Sequence, residues 1–184
     1  MSERLVFAHT VEGLFKRGLS GRISPELKEQ LRRVGLDLDR PLLPAYPLDT
    51  WLRCVSLAAQ ALYPSESQEL ALRHMGERMV DGYLETTMGS ATFGLLRLLG
   101  PHRTLGRMQK NFRSANNYTE VRLSEVGPSE ADLWMNEPGL LRYFMGGVLL
   151  AGLRGAGTAD VRVELRHFDD TSVTYRLSWG APGR

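Results

Sequence analysis

The spacing of the apolar residues changes once along this sequence, after Asn116 and Asn117. Before this point apolar residues recur at helical intervals, whereas from Tyr118 onward most of them alternate with polar residues, as they do in β-strands. An apolar helical stretch over residues 140–153 interrupts the alternation. Helices followed by strand–strand–helix–strand–strand predict an α+β fold, with N-terminal helices packed on one face of a four-stranded antiparallel sheet.

Caps, prolines and glycines predict where the helices begin and end. Ser24 followed by Pro25 is the usual order of an N-cap and a first helical residue, and Gly35 ends that helix. Three prolines within seven residues predict that residues 36–47 form a loop. The predicted helices cover residues 25–34, 49–63, 66–88, 91–99 and 101–113, with an extended start and a helical pattern mixed over residues 4–18.

Turn residues divide the C-terminal part into two hairpins. The first turns around Gly127 and Pro128, and the second around Asp169 and Asp170. A length of 184 residues is typical of one domain, so we predict a single domain over 1–184. Within it we distinguish an N-terminal extension with a proline-rich loop (1–46), a helical part (47–117) and a sheet part (118–180).

Composition excludes several classes of protein. The chain is 42% hydrophobic and 24% charged, as folded proteins are, and its net charge of only +2 argues against a nucleic-acid partner. The single cysteine, Cys54, forms no internal disulfide and is predicted to be a core residue, which fits a reducing, cytoplasmic compartment. The longest apolar stretch is too short to cross a bilayer, and no signal peptide is visible, so we predict no membrane span.

No motif of catalysis or metal binding occurs in the sequence. The four histidines are scattered, and none has a second ligand at a metal-binding spacing. Glu77, Asp81 and Glu85 share one helix side, which is more typical of a solvated surface than of acid–base chemistry. We therefore predict a protein that is not an enzyme and that has no metal and no cofactor.

The charge distribution has one local anomaly, which is a stretch without acidic residues between Thr86 and Thr119. Arginine side chains on such a surface suit bidentate contacts with a phosphate, a carboxylate or an acidic protein. The alternative is a basic helix that is solvated or paired with the acidic helix 66–88. The basic residues of this stretch are Arg97, Arg103, Arg107, Lys110 and Arg113, with His102 beside them.

Trp134 is the second unusual feature, because it alternates to the side opposite Leu133 and Met135. An exposed tryptophan on a strand suggests an interface or the wall of a ligand site. Trp51 and Trp179, by contrast, are predicted to lie in the core. The candidate ligand-binding residues are Arg103, Arg107, Lys110, Arg113, Asn117 and Trp134.

Two long segments, LLRLLGPHRTLGRMQKNFRSANNYTEVRLSEVGPSEADLWMNE and FMGGVLLAGLRGAGTADVRVELRHFDDTSVTYRLSW, resemble a paralogous family of uncharacterised myxobacterial proteins. VEGLFKRGL, GLDLDRPLLPAYPLDTW and GYLETTMG fit the same family. More distantly, residues 90–179 resemble the 4-vinyl-reductase-type domain and its relatives, the haem-nitric-oxide-binding and TRAPP-like domains. That resemblance implies a ligand sensor or a dimeric assembly module.

The sequence departs from these relatives where cofactors would bind. The zinc-binding version has cysteines on the last hairpin, where this chain has His167 and residues 170–174. The haem-binding version has a proximal histidine on a helix and a Tyr-x-Ser-x-Arg motif, and we identify neither here. The resemblance therefore implies the architecture without zinc or haem.

These observations lead to two functional hypotheses. The first is a non-enzymatic regulatory or signalling module, a small-molecule sensor or protein-interaction domain that forms a homodimer. Its expected ligand is small and apolar or anionic, in a pocket between the helices and the sheet with the candidate residues at its mouth. The alternative is a structural scaffold or adaptor that homodimerises or binds a protein through helix 140–153 or Trp134. An enzyme would require Glu77, Asp81 and a histidine in one closed pocket.

Overall fold

The N-terminal region forms a small sheet of its own. The computed structural model describes residues 3–136 and 139–180. Strand β1 (Leu5–Phe7) pairs antiparallel with β2 (Ala45–Pro47), and between them lie helix α1 (Ala8–Val11), a π-helix (Glu12–Gly18) and helix α2 (Pro25–Arg33). The prediction of a loop over residues 36–47 is wrong for residues 45–47. Pro47 stands at the end of a two-stranded sheet, where its missing N–H costs nothing, and the Tyr46 side chain is buried.

Five further helices precede the main sheet, where the apolar spacing predicts four. They are α3 (Leu48–Leu62), α4 (Gln68–Leu84), α5 (Thr87–Arg97), α6 (Gly100–Gly106) and α7 (Met108–Ala115). The predicted helix 66–88 ends earlier, at Leu84, and the next helix begins at Thr87 instead of residue 91. Ser24, Ser67 and Thr86 cap α2, α4 and α5, each by accepting a hydrogen bond from a backbone N–H three residues later. In the described part of the chain, no helix combines the length and the apolar character that crossing a membrane requires.

The predicted helix 101–113 is two helices, not one. Helix α6 ends at Gly106 and α7 begins at Met108. The backbone of Arg107 stays in the right-handed helical region, with φ −91° and ψ −8°, but its N–H donates to the carbonyl of Thr104, three residues back rather than the four of an α-helix. Gly106 weakens the helix at this point because glycine loses more backbone entropy than other residues.

The main sheet has four antiparallel strands in the order β3-β4-β6-β5, which confirms the predicted fold class. Its elements are β3 (Val121–Gly127), β4 (Glu130–Met135), α8 (Leu141–Gly155), β5 (Arg162–Phe168) and β6 (Val173–Ser178). Leu133 lies between Leu123 and Tyr175 in the register. The Tyr175 hydroxyl donates to the backbone carbonyl of Arg142 over 2.6 Å, so this face of the sheet is the one that α8 covers.

The core is continuous from the N-terminal helices to the sheet. Leu14 and Phe15 of the π-helix belong to the same buried cluster as Leu133 and Tyr175, so the predicted N-terminal extension packs into this core. Helix α8 is largely buried too. The hypothesis that the apolar helix 140–153 forms a dimer or partner surface is therefore wrong, because its apolar side chains pack inside the protein.

Helices α4 and α8 touch through glycines. A Cβ atom at Gly76 would overlap the carbonyl oxygen of Phe144, and one at Gly147 would overlap that of Arg73. Backbone therefore packs directly on backbone at both glycines. The two helices together form the central support of the fold.

Candidate functional site

A cleft of about 450 Å³ opens where the first turns of α4 and α8 meet strands β5 and β6. Its volume lies within the range of small-molecule sites, roughly 300–1,000 Å³. Both apolar and charged residues contribute to its wall. The lining residues are Ser67, Glu69, Leu70, Arg73, Arg142, Tyr143, Gly146, Val163, Glu164, Leu165 and Tyr175.

Arg142 is the most unusual residue of the cleft. Its guanidinium carbon lies 4.1 Å from the ring centre of Phe168 and 4.8 Å from that of Tyr143, so two aromatic rings hold the cation. One terminal nitrogen donates to the carbonyl of Gly139 over 2.7 Å. The Nε atom is buried and has no acceptor among the described residues. A buried donor without an acceptor carries a free-energy cost that an anionic or carbonyl oxygen would remove.

The remaining charges of the cleft do not neutralise Arg142. Glu164 stands opposite Arg176 in the sheet, on the face turned away from the helices. Arg73 adds a second cation, and its only described ion pair is a long one of 3.8 Å with Glu77. Glu69, exposed on the first turn of α4, is the remaining carboxylate of the lining. The cleft thus offers two guanidinium groups next to apolar wall.

Apolar surface continues outside the cleft. Leu70 is 43% exposed and Phe168 is 56% exposed, although both are large hydrophobic residues. Leu70 lines the cleft, and Phe168 lies against Arg142 at its edge. Exposed apolar side chains beside a concave site favour binding of a partly apolar molecule.

Strand β5 borders the cleft with a free edge. It pairs with β6 on one side, and no other strand of the described residues pairs with its other side. Val163, Glu164 and Leu165 belong to both the strand and the cleft wall. The backbone groups of an edge strand are available for pairing with an extended segment.

The sequence-predicted basic residues lie elsewhere. Arg103 on α6, Arg107 between the helices, and Lys110 and Arg113 on α7 are all exposed. No described acidic side chain forms an ion pair with any of the four, so the alternative of pairing with α4 is not observed. None of the four lines the cleft.

The other two candidate residues have separate positions. Asn117 connects β1 to the end of α7, since its Oδ1 accepts from the Leu5 N–H over 2.8 Å and its Nδ2 donates to the Glu3 carbonyl. Trp134 lies on the sheet face opposite to the helices, where the guanidinium carbon of Arg122 is 4.5 Å from its ring centre. The structure does not bring the six candidate residues to the mouth of one pocket.

The remaining predictions about single residues concern the core. Trp51, Trp179 and Cys54 are buried, as predicted. Burial raises the pKa of the Cys54 thiol to about 12, so the reactive thiolate does not form near neutral pH. Among the described residues, no three His, Cys, Asp or Glu side chains lie close enough to hold a metal ion.

Sequence reasoning missed Arg142, Tyr143 and Phe168. The available signal was Arg142 itself, an arginine inside an otherwise apolar helical stretch. A charged residue in a buried helix needs a local partner or a ligand. A search for the partner of Arg142 leads to the cleft. Phe168 gave no signal, because nothing in the sequence shows that β5 ends beside the first turn of α8.

Comparison with known families now places the chain. Residues 4–180 match the family model described as a protein of unknown function, DUF2378. The chain belongs to this family. A comparison with curated proteins finds no match.

The fold is similar to solved H-NOX domains. A structure from work on haem distortion in the H-NOX family has a TM-score of 0.64 at 13% identity, with 95% of each chain covered. An oxygen-binding H-NOX domain related to soluble guanylate cyclases, in its oxygen complex, has a TM-score of 0.62 at 15% identity, covering 95% of this chain and 93% of that one. An unliganded Fe(II) H-NOX mutant from K. algicida has a TM-score of 0.61 at 12% identity, covering 94% of this chain and 95% of that one. This confirms the haem-nitric-oxide-binding part of the resemblance for the fold alone.

The residues of this chain do not fit a haem. Helix α6 does carry a histidine, His102, but its Nε2–H donates to the Pro128 carbonyl over 3.0 Å and its ring lies against the edge of Trp179. In that tautomer the free lone pair belongs to Nδ1, which is buried. Leu105 and Phe112, on the inner side of α6 and α7, are buried in the protein core.

Proposed function

We propose that this family member is a non-enzymatic regulatory module that binds a small amphiphilic molecule in the cleft between α4, α8 and β5. The ligand combines an apolar body with a carboxylate or a similar anionic group. The observation that carries this proposal is Arg142, whose guanidinium packs against two aromatic rings at the cleft and has no carboxylate partner among the described residues. An anionic group in the cleft can accept hydrogen bonds from this guanidinium, and charge-assisted hydrogen bonds are stronger than neutral ones.

The surroundings of Arg142 support the same class of ligand. Arg73 lies on the opposite wall and offers a second guanidinium group. Leu70, Leu165 and Tyr143 provide apolar contact for the body of the molecule. The cleft alone is of a size suited to a small ligand rather than a folded partner.

A signal from the cleft has a direct route through the molecule. Helix α4 begins at the cleft and spans about 25 Å to the start of α5. Its contact with α8 is backbone to backbone at Gly76 and Gly147, so the two helices move as one body. A ligand that binds the first turns of both helices changes their position relative to β5, and α4 carries that change to the opposite end.

The second candidate function is an adaptor that binds an extended protein segment. The specific observation in its favour is the free edge of β5 beside the cleft. A peptide strand paired with β5 would place alternate side chains in the cleft. Homodimer formation remains a further prediction for either function.

Binding of decanoate, a single-chain carboxylate, tests the first proposal against decanol, which has the same apolar chain without the charge. We expect isothermal titration to show binding of decanoate and at least about tenfold weaker binding of decanol. The double variant Arg73→Gln, Arg142→Gln removes both guanidinium groups of the cleft, so it should abolish this preference while both compounds keep the same weak affinity. Native mass spectrometry of the purified protein then shows whether a small molecule is already bound.

A pair of variants on one helix controls for the position of the site. Gly146 lines the cleft, and a Cβ there makes only an ordinary contact of 3.7 Å with Tyr175, so Gly146→Leu fills the cleft without displacing backbone. Gly152→Leu makes the same change on α8 where a Cβ meets no atom within 4 Å. Loss of decanoate binding in Gly146→Leu alone supports the proposal. Equal binding by both variants, or equal affinity for decanol and decanoate, refutes it.

A further inference from the structure

The outward side of helix α5 exposes large aliphatic residues. Met88 is 70% exposed, Leu95 50% and Leu98 83%, whereas Gly89, Phe93 and Leu96 on the other side are buried. At 100° per residue the three exposed residues lie within one quarter of the helix circumference. Single exposed apolar residues are ordinary on a protein surface, but a row of three on one helix marks a contact surface.

The next two helices along the chain carry four exposed cations. Arg103, Arg107, Lys110 and Arg113 are exposed, and the described residues form no ion pair with them. Elsewhere many arginines pair with a nearby carboxylate, as Arg33 does with Glu29. No acidic residue occurs between Thr86 and Thr119, so nothing within this segment lowers its positive potential. We call these seven side chains and their helices the α5–α7 surface.

We propose that the α5–α7 surface adsorbs to a phospholipid bilayer that carries anionic head groups. The aliphatic side chains of α5 enter the boundary between head groups and acyl chains, and the four cations contact lipid phosphates. Two features favour a bilayer over an acidic protein. The apolar residues are aliphatic and project from a helix rather than lining a groove. The segment is also without any carboxylate, as a uniformly negative partner requires.

This inference goes beyond the proposed function and does not depend on it. The cleft lies at the first turn of α4, and the α5–α7 surface begins after its last turn. Adsorption therefore needs no ligand in the cleft. If both hold, α4 connects a ligand site to a membrane-binding surface.

Sedimentation with large unilamellar vesicles tests the inference on the full chain. We expect the protein to bind vesicles of phosphatidylcholine mixed with phosphatidylglycerol, and not vesicles of phosphatidylcholine alone. Binding should fall as salt is added, because salt screens exposed charges. Each cation near an anionic bilayer contributes about fivefold to the partition coefficient, so the triple variant Arg103→Gln, Arg107→Gln, Lys110→Gln should bind about 100-fold more weakly.

Control variants separate this surface from the overall positive charge. Arg22, Arg53 and Arg162 are exposed and have no described ion pair, and changing all three to Gln removes the same charge elsewhere. We expect this triple variant to keep most of the binding. The pair Met88→Ser, Leu98→Ser should lose about tenfold or more, since both side chains leave the apolar boundary. Circular dichroism verifies that each variant is folded.

Three outcomes overturn the inference. Equal binding to neutral and anionic vesicles excludes the cations as a determinant, and an equal loss in the control triple variant excludes this position. Binding to polyglutamate with no binding to either kind of vesicle assigns the surface to an acidic protein partner instead.

Discussion

Glycine occurs in the helices of two regions with opposite surroundings. At Gly76 of α4 and Gly147 of α8, a methyl group would overlap a carbonyl oxygen of the facing helix. At Gly94 of α5 and Gly106 of α6, the same group would meet no atom within 4 Å. The first pair lets two backbones pack together in the core, whereas the second pair lies on the exposed side of a helical layer.

These surroundings distinguish a rigid frame, formed by helices α4 and α8, from a surface layer, formed by helices α5–α7. Helices α4 and α8 are joined along their length, with the sheet packed on α8. Helices α5–α7 bury one side and expose the other. The exposed side carries aliphatic residues, and cations that form no ion pair with the described residues. Local opening has the lowest free energy where buried apolar contacts are fewest, so the frame should resist motion that the layer permits.

Replacing Gly147 should have the largest effect on stability. Gly147→Ala places a methyl group against the carbonyl of Arg73, and the helices must separate to accommodate it. We expect a loss of about 3 kcal/mol or more in the free energy of unfolding, measured by urea denaturation. Gly152→Ala, on the same helix in open space, should instead gain up to about 1 kcal/mol from helix propensity. A Gly147→Ala variant as stable as Gly152→Ala would show that α4 and α8 do not pack backbone to backbone.

Hydrogen exchange measures the contrast between the two regions directly. The amides of α4 and α8 should exchange only through global unfolding, whereas those of α5–α7 should exchange through local opening at a free energy about 2 kcal/mol lower. Mass spectrometry of peptides from the two regions gives both values in one experiment. Equal protection of α5 and α8 would remove the distinction between frame and layer.

An ion pair in the centre of the sheet gives the frame a pH dependence. Hydrogen bonds from Arg176 hold the pKa of Asp132 below its ordinary value of 3.8. A carboxyl whose pKa is lowered by folding contributes stability above its ordinary pKa and loses it as the pH falls through the lowered value. We therefore expect Asp132→Asn to be less stable than the unmodified protein at neutral pH, with a difference that shrinks as the pH falls below 3.8.

The matched control for this measurement is Asp170→Asn. Asp170 is an exposed loop residue for which no hydrogen bond is described. The denaturant midpoints of Asp170→Asn across the acid range should equal those of the unmodified protein. If Asp132→Asn keeps a constant deficit at every pH, the Arg176 pair does not act through the ionised carboxylate.

The smallest effect is expected in the surface layer. Gly94→Ala adds a methyl group that meets no atom and improves helix propensity, so we expect a gain of about 0.5–1 kcal/mol. Thermal unfolding followed by circular dichroism is sensitive enough to detect it. A loss of stability here would show that α5 is packed more closely than its exposed side indicates.

Local sequence signals predicted much of the fold. The cap Ser24 and the turns at Gly127 and Asp169 act within a few residues, so they can be recognised along the chain. The cap Thr86 was missed, because it lies inside the predicted helix 66–88. Strand β2 was not predicted, because Ala45 and Tyr46, two residues between prolines, are too few to show a periodic pattern. Its pairing with β1 depends on a partner about 40 residues away.

The candidate site depended on contacts that no local pattern contains. The cationic residues of α6 and α7 could be identified because they stand close together in the sequence, and the structure leaves them exposed and unpaired. Arg142 and Phe168 belong to different elements, and only the end of β5 brings the ring over the guanidinium. Trp134 was correctly placed on the other sheet face by its alternation, but alternation does not show that Arg122 covers it.

The sequence by itself determined the strand–strand–helix–strand–strand order of the C-terminal part, the α+β class and the acid-free basic segment, since periodicity, turn residues and charge are properties of neighbouring residues. Only the tertiary structure decided that Gly76 meets α8, that a cleft opens beside Arg142, and that the basic residues do not border it. These features require residues far apart in the chain to meet, and packing of the whole core decides which of them do.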